Sequence, residues 1–421
     1  MPKTIFRMGI LYQDPSCYNY YVEVITNKDL IEKFLTRGVA NIYPSADLLR
    51  KALMSGRRLR VYQGFDPTGK FLHIGHAMGI RSLRILQQLG HDVIFLVGDF
   101  TSKIGDPDKT TSREMLTDEK IQQNMSSWKE QASQLIEFDG ENPVTFKNNF
   151  EWLSKVSLEK MLELMSHTTL QQMIERDLFD RRLKENDPIK LHEIVYPIMQ
   201  GFDSVAMEVD LELGGTDQIF NMMVGRTLVK DYLGKEKFVR AHEMMEAPDA
   251  TTMSKTKGNG INLGDTSEDI YGKAMSYPDE LIVKGLKLLT DVPLDVISEI
   301  DLDIQTGKDQ LKHKKLMAYE IVKVIRGENE AKKAQDFFER TVQNKELDDS
   351  VVISVPLKGK MTLVDFVRQI KTDLSASDIK RTIQQGGAEV NGDRKVDITE
   401  EINFKQGDVI KFGKRNYFKI D

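Results

Sequence analysis

Two histidines three positions apart stand in the run His73-Ile74-Gly75-His76, a few residues after Gly64-Phe65-Asp66-Pro67-Thr68. Arg60 to Phe65 reads as a strand, Asp66-Pro67-Thr68-Gly69 as its turn, and His76 to Leu89 as a helix with Ile80, Leu83, Leu86 and Leu89 on one side. The imidazoles therefore fall at a strand-to-helix junction. There a helix N-terminus offers unpaired N–H groups and partial positive charge to a phosphate. Gly75 leaves room for a flat base to approach the backbone. A lone histidine pair more often caps a helix. The whole tetrapeptide at this junction favours phosphate chemistry.

A second stretch, Thr252-Met253-Ser254-Lys255-Thr256, carries a lysine and hydroxyls of the kind that close on a pyrophosphate leaving group. A third is Tyr196, Gln200 and Asp203, spaced i, i+4 and i+7, which a helix presents on one face.

The elements that must hold these residues follow. Val93 to Val97 is a run of five apolar residues, as in a strand buried on both faces of a parallel sheet. With the preceding strand and helix it makes a βαβ unit. Val209 to Leu213 alternates like a further strand and ends at Gly214-Gly215. Asp118 to Leu183 looks mainly helical. The fold class is α/β. The expected order is an extension over residues 1–30, a Rossmann-like parallel-sheet catalytic domain over 31–245 with a helical insertion at about 118–195, and a helical domain over 246–345. A linker over 346–355 and a small α+β domain over 356–421 follow. In the last, a helix around Ser377 to Gln385 precedes strands joined at Asn391-Gly392 and Gly407-Asp408.

Composition narrows the class. The chain has 421 residues, 40% hydrophobic and 29% charged, with no apolar run near the ~18 residues of a membrane span. Met1 to Leu30 lacks an uninterrupted apolar core and carries Asp14 and Glu23, which argues against a signal peptide. Cys17 is the sole cysteine, so no intrachain disulfide can form, and a reducing cytoplasm is expected. No cluster reads as a protein metal site. The net charge of −6 is uneven: from Pro356 onward 13 basic residues face 10 acidic ones. A basic tail on an acidic body fits an anionic partner.

His73-Ile74-Gly75-His76 resembles the HIGH signature of class I aminoacyl-tRNA synthetases. Thr252 to Thr256 resembles their KMSKS loop, with threonine at the first lysine position. The resemblance narrows to tyrosyl-tRNA synthetases of the bacterial type through five segments. They are Val61 to Thr68, Ile104-Gly105-Asp106-Pro107, Asn148-Asn149-Phe150-Glu151-Trp152, Tyr196 to Asp203, and Gly214-Gly215-Thr216-Asp217-Gln218.

That resemblance implies tyrosine activation with ATP and Mg²⁺, transfer to the 3′ end of tRNA(Tyr), and a homodimer. It assigns Tyr62 and Asp203 to the phenol hydroxyl, Asp106, Tyr196 and Gln200 to the ammonium, and Gln218 to the carboxylate side. Gln63, Gly215 and Asp217 would line the ribose. Thr68, His73 and His76 would face the phosphates, with Gly64, Asp66, Gly75, Met253, Ser254 and Lys255 completing the ATP site. Lys109 and Arg113 fall on a closing loop one residue shorter than the pattern. The tail resembles a small RNA-binding module first known from a ribosomal protein, with Lys380, Arg381, Lys411, Lys414 and Arg415 as phosphate contacts. A tryptophan-activating relative and a non-catalytic RNA-binding derivative remain the competing readings.

Overall fold

The computed structural model describes residues 22–105, 115–174, 177–247, 260–343, 352–356, 359–371, 374–413 and 416–421. The chain divides into two compact units, residues 1–332 and 333–421.

The first unit is built on a six-stranded sheet. Its strands are β1 (Val39–Tyr43), β2 (Arg60–Phe65), β3 (Asp92–Val97), β4 (Thr145–Asn148), β5 (Leu211–Gly215) and β6 (Phe238–His242), in the order β1-β6-β5-β2-β3-β4. All neighbours are parallel except β1 and β6, which are antiparallel. The helices that matter below are α1 (Lys28–Thr36), α2 (Ile74–Gln88), α3 (Leu158–Met165), α4 (Leu191–Ala206), α5 (Ile219–Leu233) and α6 (Ile282–Leu289). β5 and β6 are buried along their whole length, as expected of strands covered on both faces.

Within the mainly helical stretch Asp118 to Leu183, Thr145–Asn148 pairs in parallel with β3 and forms the sheet edge. Glu212, on the alternating strand β5, is 1% exposed. The segment beyond residue 260 also packs within the same unit as the sheet. Arg81 donates to Leu288 O, Thr290 O and Asp291, and Arg37 donates to Leu286 O, Lys287 O and Val292 O.

The second unit has its own core around Phe366, Ile379, Ile383, Ile410 and Phe418. It contains α7 (Ala376–Gln384) and the strands β7 (Val352–Val355), β8 (Lys360–Thr362), β9 (Ala388–Val390), β10 (Asp393–Lys395), β11 (Glu401–Asn403), β12 (Val409–Phe412) and β13 (Asn416–Ile420). They form a sheet of order β10-β9-β12-β13-β7 and a β8–β11 pair. The β9–β10 hairpin turns at Asn391 and Gly392 with φ of 52° and 87°, the left-handed pair a two-residue turn demands. The linker expected over 346–355 is corrected at its end. Val352–Val355 pairs with the last strand, a contact across more than 60 residues that no local pattern announces.

Candidate active site

β2 pairs with β3 on one side and β5 on the other, both parallel. The direction of strand progression therefore reverses at β2. A crevice opens beyond the carboxyl ends, where Asp66–Thr68 leave β2 and Thr216–Gln218 leave β5.

His73 is the N-cap residue of α2 and His76 lies in its first turn. The His73 backbone N–H donates to His76 Nδ1 at 3.0 Å, and the two rings stand 3.8 Å apart. An Nδ1 that accepts leaves the proton on Nε2, so His76 presents a ring N–H as a donor. His73 also bridges Asn262, while Ile74 N–H donates to Ile261 O at 2.8 Å and Leu263 N–H donates to Leu72 O at 2.8 Å. The chain thus returns to the histidine pair a few residues after Lys255.

Asp66 is the hub on the rim. It accepts from Tyr196 Oη at 2.9 Å and from Thr101 Oγ1 at 2.8 Å. Gly98 permits this approach, since a Cβ there would lie 2.0 Å from Asp66 Oδ1. Gly215 is hemmed in likewise, with Asp217 Oδ1 at 2.3 Å from a Cβ position. Gln63 is 6% exposed, and its amide lies against Gly79 of α2, where a Cβ would come within 2.0 Å of Oε1.

α4 brings Tyr196, Gln200 and Asp203 to one side, as their spacing requires. Asp203 is 2% exposed and accepts from Trp152 Nε1 at 2.7 Å and Asn149 Nδ2 at 3.1 Å. Burial pushes its carboxyl well above the usual range, and the two donors offset only part of that. Tyr62 is fully buried and its hydroxyl meets Ser204 Oγ at 2.9 Å. Burial, reinforced by Glu212 and Asp203, holds the phenol well above its ordinary pKa, so it stays neutral.

Beneath lies a network that residue-type patterns did not reveal. Lys237, fully buried, donates to Ser204 Oγ at 2.7 Å, to Met222 O at 3.2 Å and to Glu212. Glu212 also accepts from Gln200 Nε2 at 3.1 Å and from Ser204 Oγ at 3.3 Å. Gln200 Oε1 accepts from Asn221 at 2.9 Å, and Asn221 also donates to Gln218 Oε1 at 3.1 Å. One buried ion pair therefore ties Tyr62 to Gln200 and, through Asn221, to Gln218. Its strand position gave no signal, because Glu212 in an alternating strand reads as solvent-facing.

Asp106, Lys109, Arg113, Thr252, Met253, Ser254 and Lys255 lie outside the described residues, as do Lys414 and Arg415. In the second unit Lys380 and Arg381 are exposed on α7, Arg381 pairs with Asp378 at 2.6 Å, and Lys411 pairs with Glu389 at 3.2 Å. Among the described residues no helix is long and apolar enough to cross a membrane.

A doubly paired β2, a helix opening on paired imidazoles and a loop returning to them define a class I aminoacyl-tRNA synthetase. Residues 54–343 match the family described as tRNA synthetases class I (W and Y). Within it the chain belongs to the tyrosine–tRNA ligases. The tyrosine–tRNA ligase of Thermotoga maritima is 38% identical over 391 residues, covering 92% of this chain and 96% of the relative. That of Moorella thermoacetica is 37% identical over 394 residues, covering 92% and 95%. Among solved structures, a C-terminally truncated mitochondrial tyrosyl-tRNA synthetase of Aspergillus nidulans superposes with a TM-score of 0.62 at 23% identity, over 74% of this chain and 94% of that one. The Archaeoglobus fulgidus enzyme complexed with L-tyrosine gives 0.57 at 21% identity, over 73% and 99%. Both share the fold. ATP is a substrate of this class of enzyme.

Proposed function

We propose that the crevice activates tyrosine with ATP and that the product adenylate is passed to the 3′ end of tRNA(Tyr). The observation that carries the residue assignment is α4, which holds Tyr196 on Asp66 at the rim, Gln200 on Glu212 and Asp203 at the buried floor. The substrate carboxylate attacks the α-phosphate and pyrophosphate leaves. A carboxylate is already a nucleophile at neutral pH, so the protein's task is positioning and charge stabilisation. His73 and the Nε2–H of His76 are the donors for the phosphates, and Thr68 would join them from the turn after β2. Lys255, Lys109 and Arg113 would add cations to the leaving group. Magnesium would arrive with ATP, and Asp106 would join Tyr196 and Gln200 around the ammonium.

Purified protein is expected to exchange pyrophosphate into ATP with tyrosine and not with tryptophan. His73→Ala and His76→Ala should each slow adenylation by about 10²–10³ with little change in tyrosine affinity, because these donors meet charge that develops in the transition state. Exchange driven by tryptophan, or none with tyrosine, would overturn the assignment. Weakened tyrosine binding at an unchanged rate would reverse the roles of the histidines.

We further propose that the second unit binds tRNA through Lys380, Arg381, Lys411, Lys414 and Arg415, and that the enzyme works in the cytoplasm as a homodimer. The dimer reading is supported by Leu158, Leu162 and Met165, which are 76%, 59% and 38% exposed at i, i+4 and i+7 on α3. A chain ending after Lys345 keeps every candidate residue for adenylation. Pyrophosphate exchange is expected to survive that truncation. Charging of tRNA should fall sharply, and residual RNA binding should show a shallower salt dependence as fewer phosphates are neutralised. Undiminished charging would remove the tail from the tRNA site.

A further inference from the structure

A cavity of about 40 Å³ lies between α1, α2, α6 and β6. Five cations line it: Lys33, Arg37, Arg81, Arg240 and Lys287, joined by His242. No carboxylate is among the described residues that line it. Asp291 answers Lys33 and Arg81, each at 2.7 Å, and Glu243 answers Lys287 at 2.7 Å. Among the described residues, Arg37 and Arg240 hydrogen-bond only to backbone carbonyls.

Arg240 is the sharper case. It is 2% exposed, stacks over Phe34 at 4.7 Å, and donates from Nε to Phe34 O and from Nη2 to Arg37 O. Its Nη1 is buried with no hydrogen-bond partner among the described residues, and so is Nδ1 of His242, two residues along the same strand. Burial pushes the Arg240 guanidinium down only to about 10, so it keeps its charge at neutral pH. His242 is pushed down to about 3 by burial and by Arg240, so it is neutral and can offer a ring N–H. A buried cation without a counter-charge is costly, and two buried orphan nitrogens add to that cost.

We propose that this cavity binds one small tetrahedral oxyanion of the size of orthophosphate or sulfate, held by Arg240 and His242 and neutralised by Arg37 and its neighbours. A water needs at least about 10–15 Å³, so the space suits one such anion or roughly three waters and excludes a nucleotide. The planar guanidinium fork is the side chain best matched to such oxygens. The anion would tie β6 to α1, α2 and α6.

The test is equilibrium dialysis of radiolabelled orthophosphate against the full chain, at an ionic strength fixed with chloride. Wild type and His73→Ala should both bind orthophosphate at this site, because it lies apart from the histidine pair. Arg240→Met should lose at least tenfold in affinity. Equal binding by Arg240→Met and wild type, or loss in His73→Ala alone, would overturn the proposal and leave water as the occupant. Should Arg240→Met fail to fold, Ser82→Asp decides, since Ser82 lines the cavity and is 8% exposed. Its carboxylate would act as a built-in counter-ion. One equivalent of bound orthophosphate per chain should vanish while Tm in phosphate-free buffer stays at or above wild type. Retained binding, or a Tm below wild type, counts against the anion.

Discussion

Lys237→Met is expected to destabilise the first unit by about 3–5 kcal/mol at neutral pH, the usual consequence of removing one partner from a buried ion pair. The pair is as enclosed as a pair can be, with Lys237 side chain at 0% and Glu212 at 2% exposure. Burial lowers the Lys237 pKa, and Glu212 is the main influence that restores it. The fit is tight as well: a Cβ on Gly225 would come within 2.5 Å of Lys237 Nζ. With methionine at 237, the Glu212 carboxylate keeps only Gln200 and Ser204 as donors among the described residues.

The deficit of Lys237→Met is read by urea unfolding at pH 7. Adding Glu212→Leu should restore much of the lost stability, because no buried charge is then left unmatched. Restored stability should come with a loss of tyrosine affinity, since Gln200 loses its Glu212 anchor in the double variant. A single variant as stable as wild type at pH 7 would mean that water or another group already neutralises Glu212.

What could be foreseen of this pair shows where residue patterns stop. The β2–α2–β3 unit was legible because its strands are apolar runs and its turn is built of Asp66-Pro67-Thr68-Gly69. The α4 face was legible because helical spacing puts Tyr196, Gln200 and Asp203 on one side. Thr145–Asn148 escaped notice because four residues with one phenylalanine carry no strand periodicity, and only its pairing with β3 makes it a strand. Phe238–His242 holds two cationic-type side chains, Arg240 and His242, which are 2% and 5% exposed. Burial of that kind depends on what packs over the strand. Glu212 and Lys237 are 25 positions apart and meet only because β5 and β6 are neighbours. A charge buried by a distant partner leaves no local trace, whereas a backbone turn or a helix stripe does.

Tyr62→Phe and Asp203→Ala are expected to erode discrimination between tyrosine and phenylalanine by as much as ~10⁴–10⁵, a magnitude that belongs to tyrosyl enzymes as a class and is adopted from them. The direction follows from the geometry. Ser204 Oγ accepts from Lys237 at 2.7 Å and lies 3.3 Å from Glu212 Oε2, to which it can give its single proton. It then has one lone pair left for the Tyr62 hydroxyl at 2.9 Å. With its proton so committed, Tyr62 oxygen turns its own lone pairs outward and serves as an acceptor. Asp203, biased by burial toward its protonated form, can act as the donor. A substrate phenol that gives a proton to Tyr62 and receives one from Asp203 satisfies both, and phenylalanine leaves two buried polar groups unpaired. Tyr62→Phe removes the acceptor and Asp203→Ala the donor, so each should raise phenylalanine-dependent pyrophosphate exchange relative to that with tyrosine. Ser204→Ala should weaken the preference less, because Tyr62 oxygen remains but its proton is no longer steered. The ratio of kcat/KM for the two amino acids in the three variants measures this ordering. Unchanged ratios in both Tyr62→Phe and Asp203→Ala would place the phenol elsewhere. A Ser204→Ala loss equal to that of Tyr62→Phe would mean that the orientation of the proton, and not the oxygen itself, carries the selectivity.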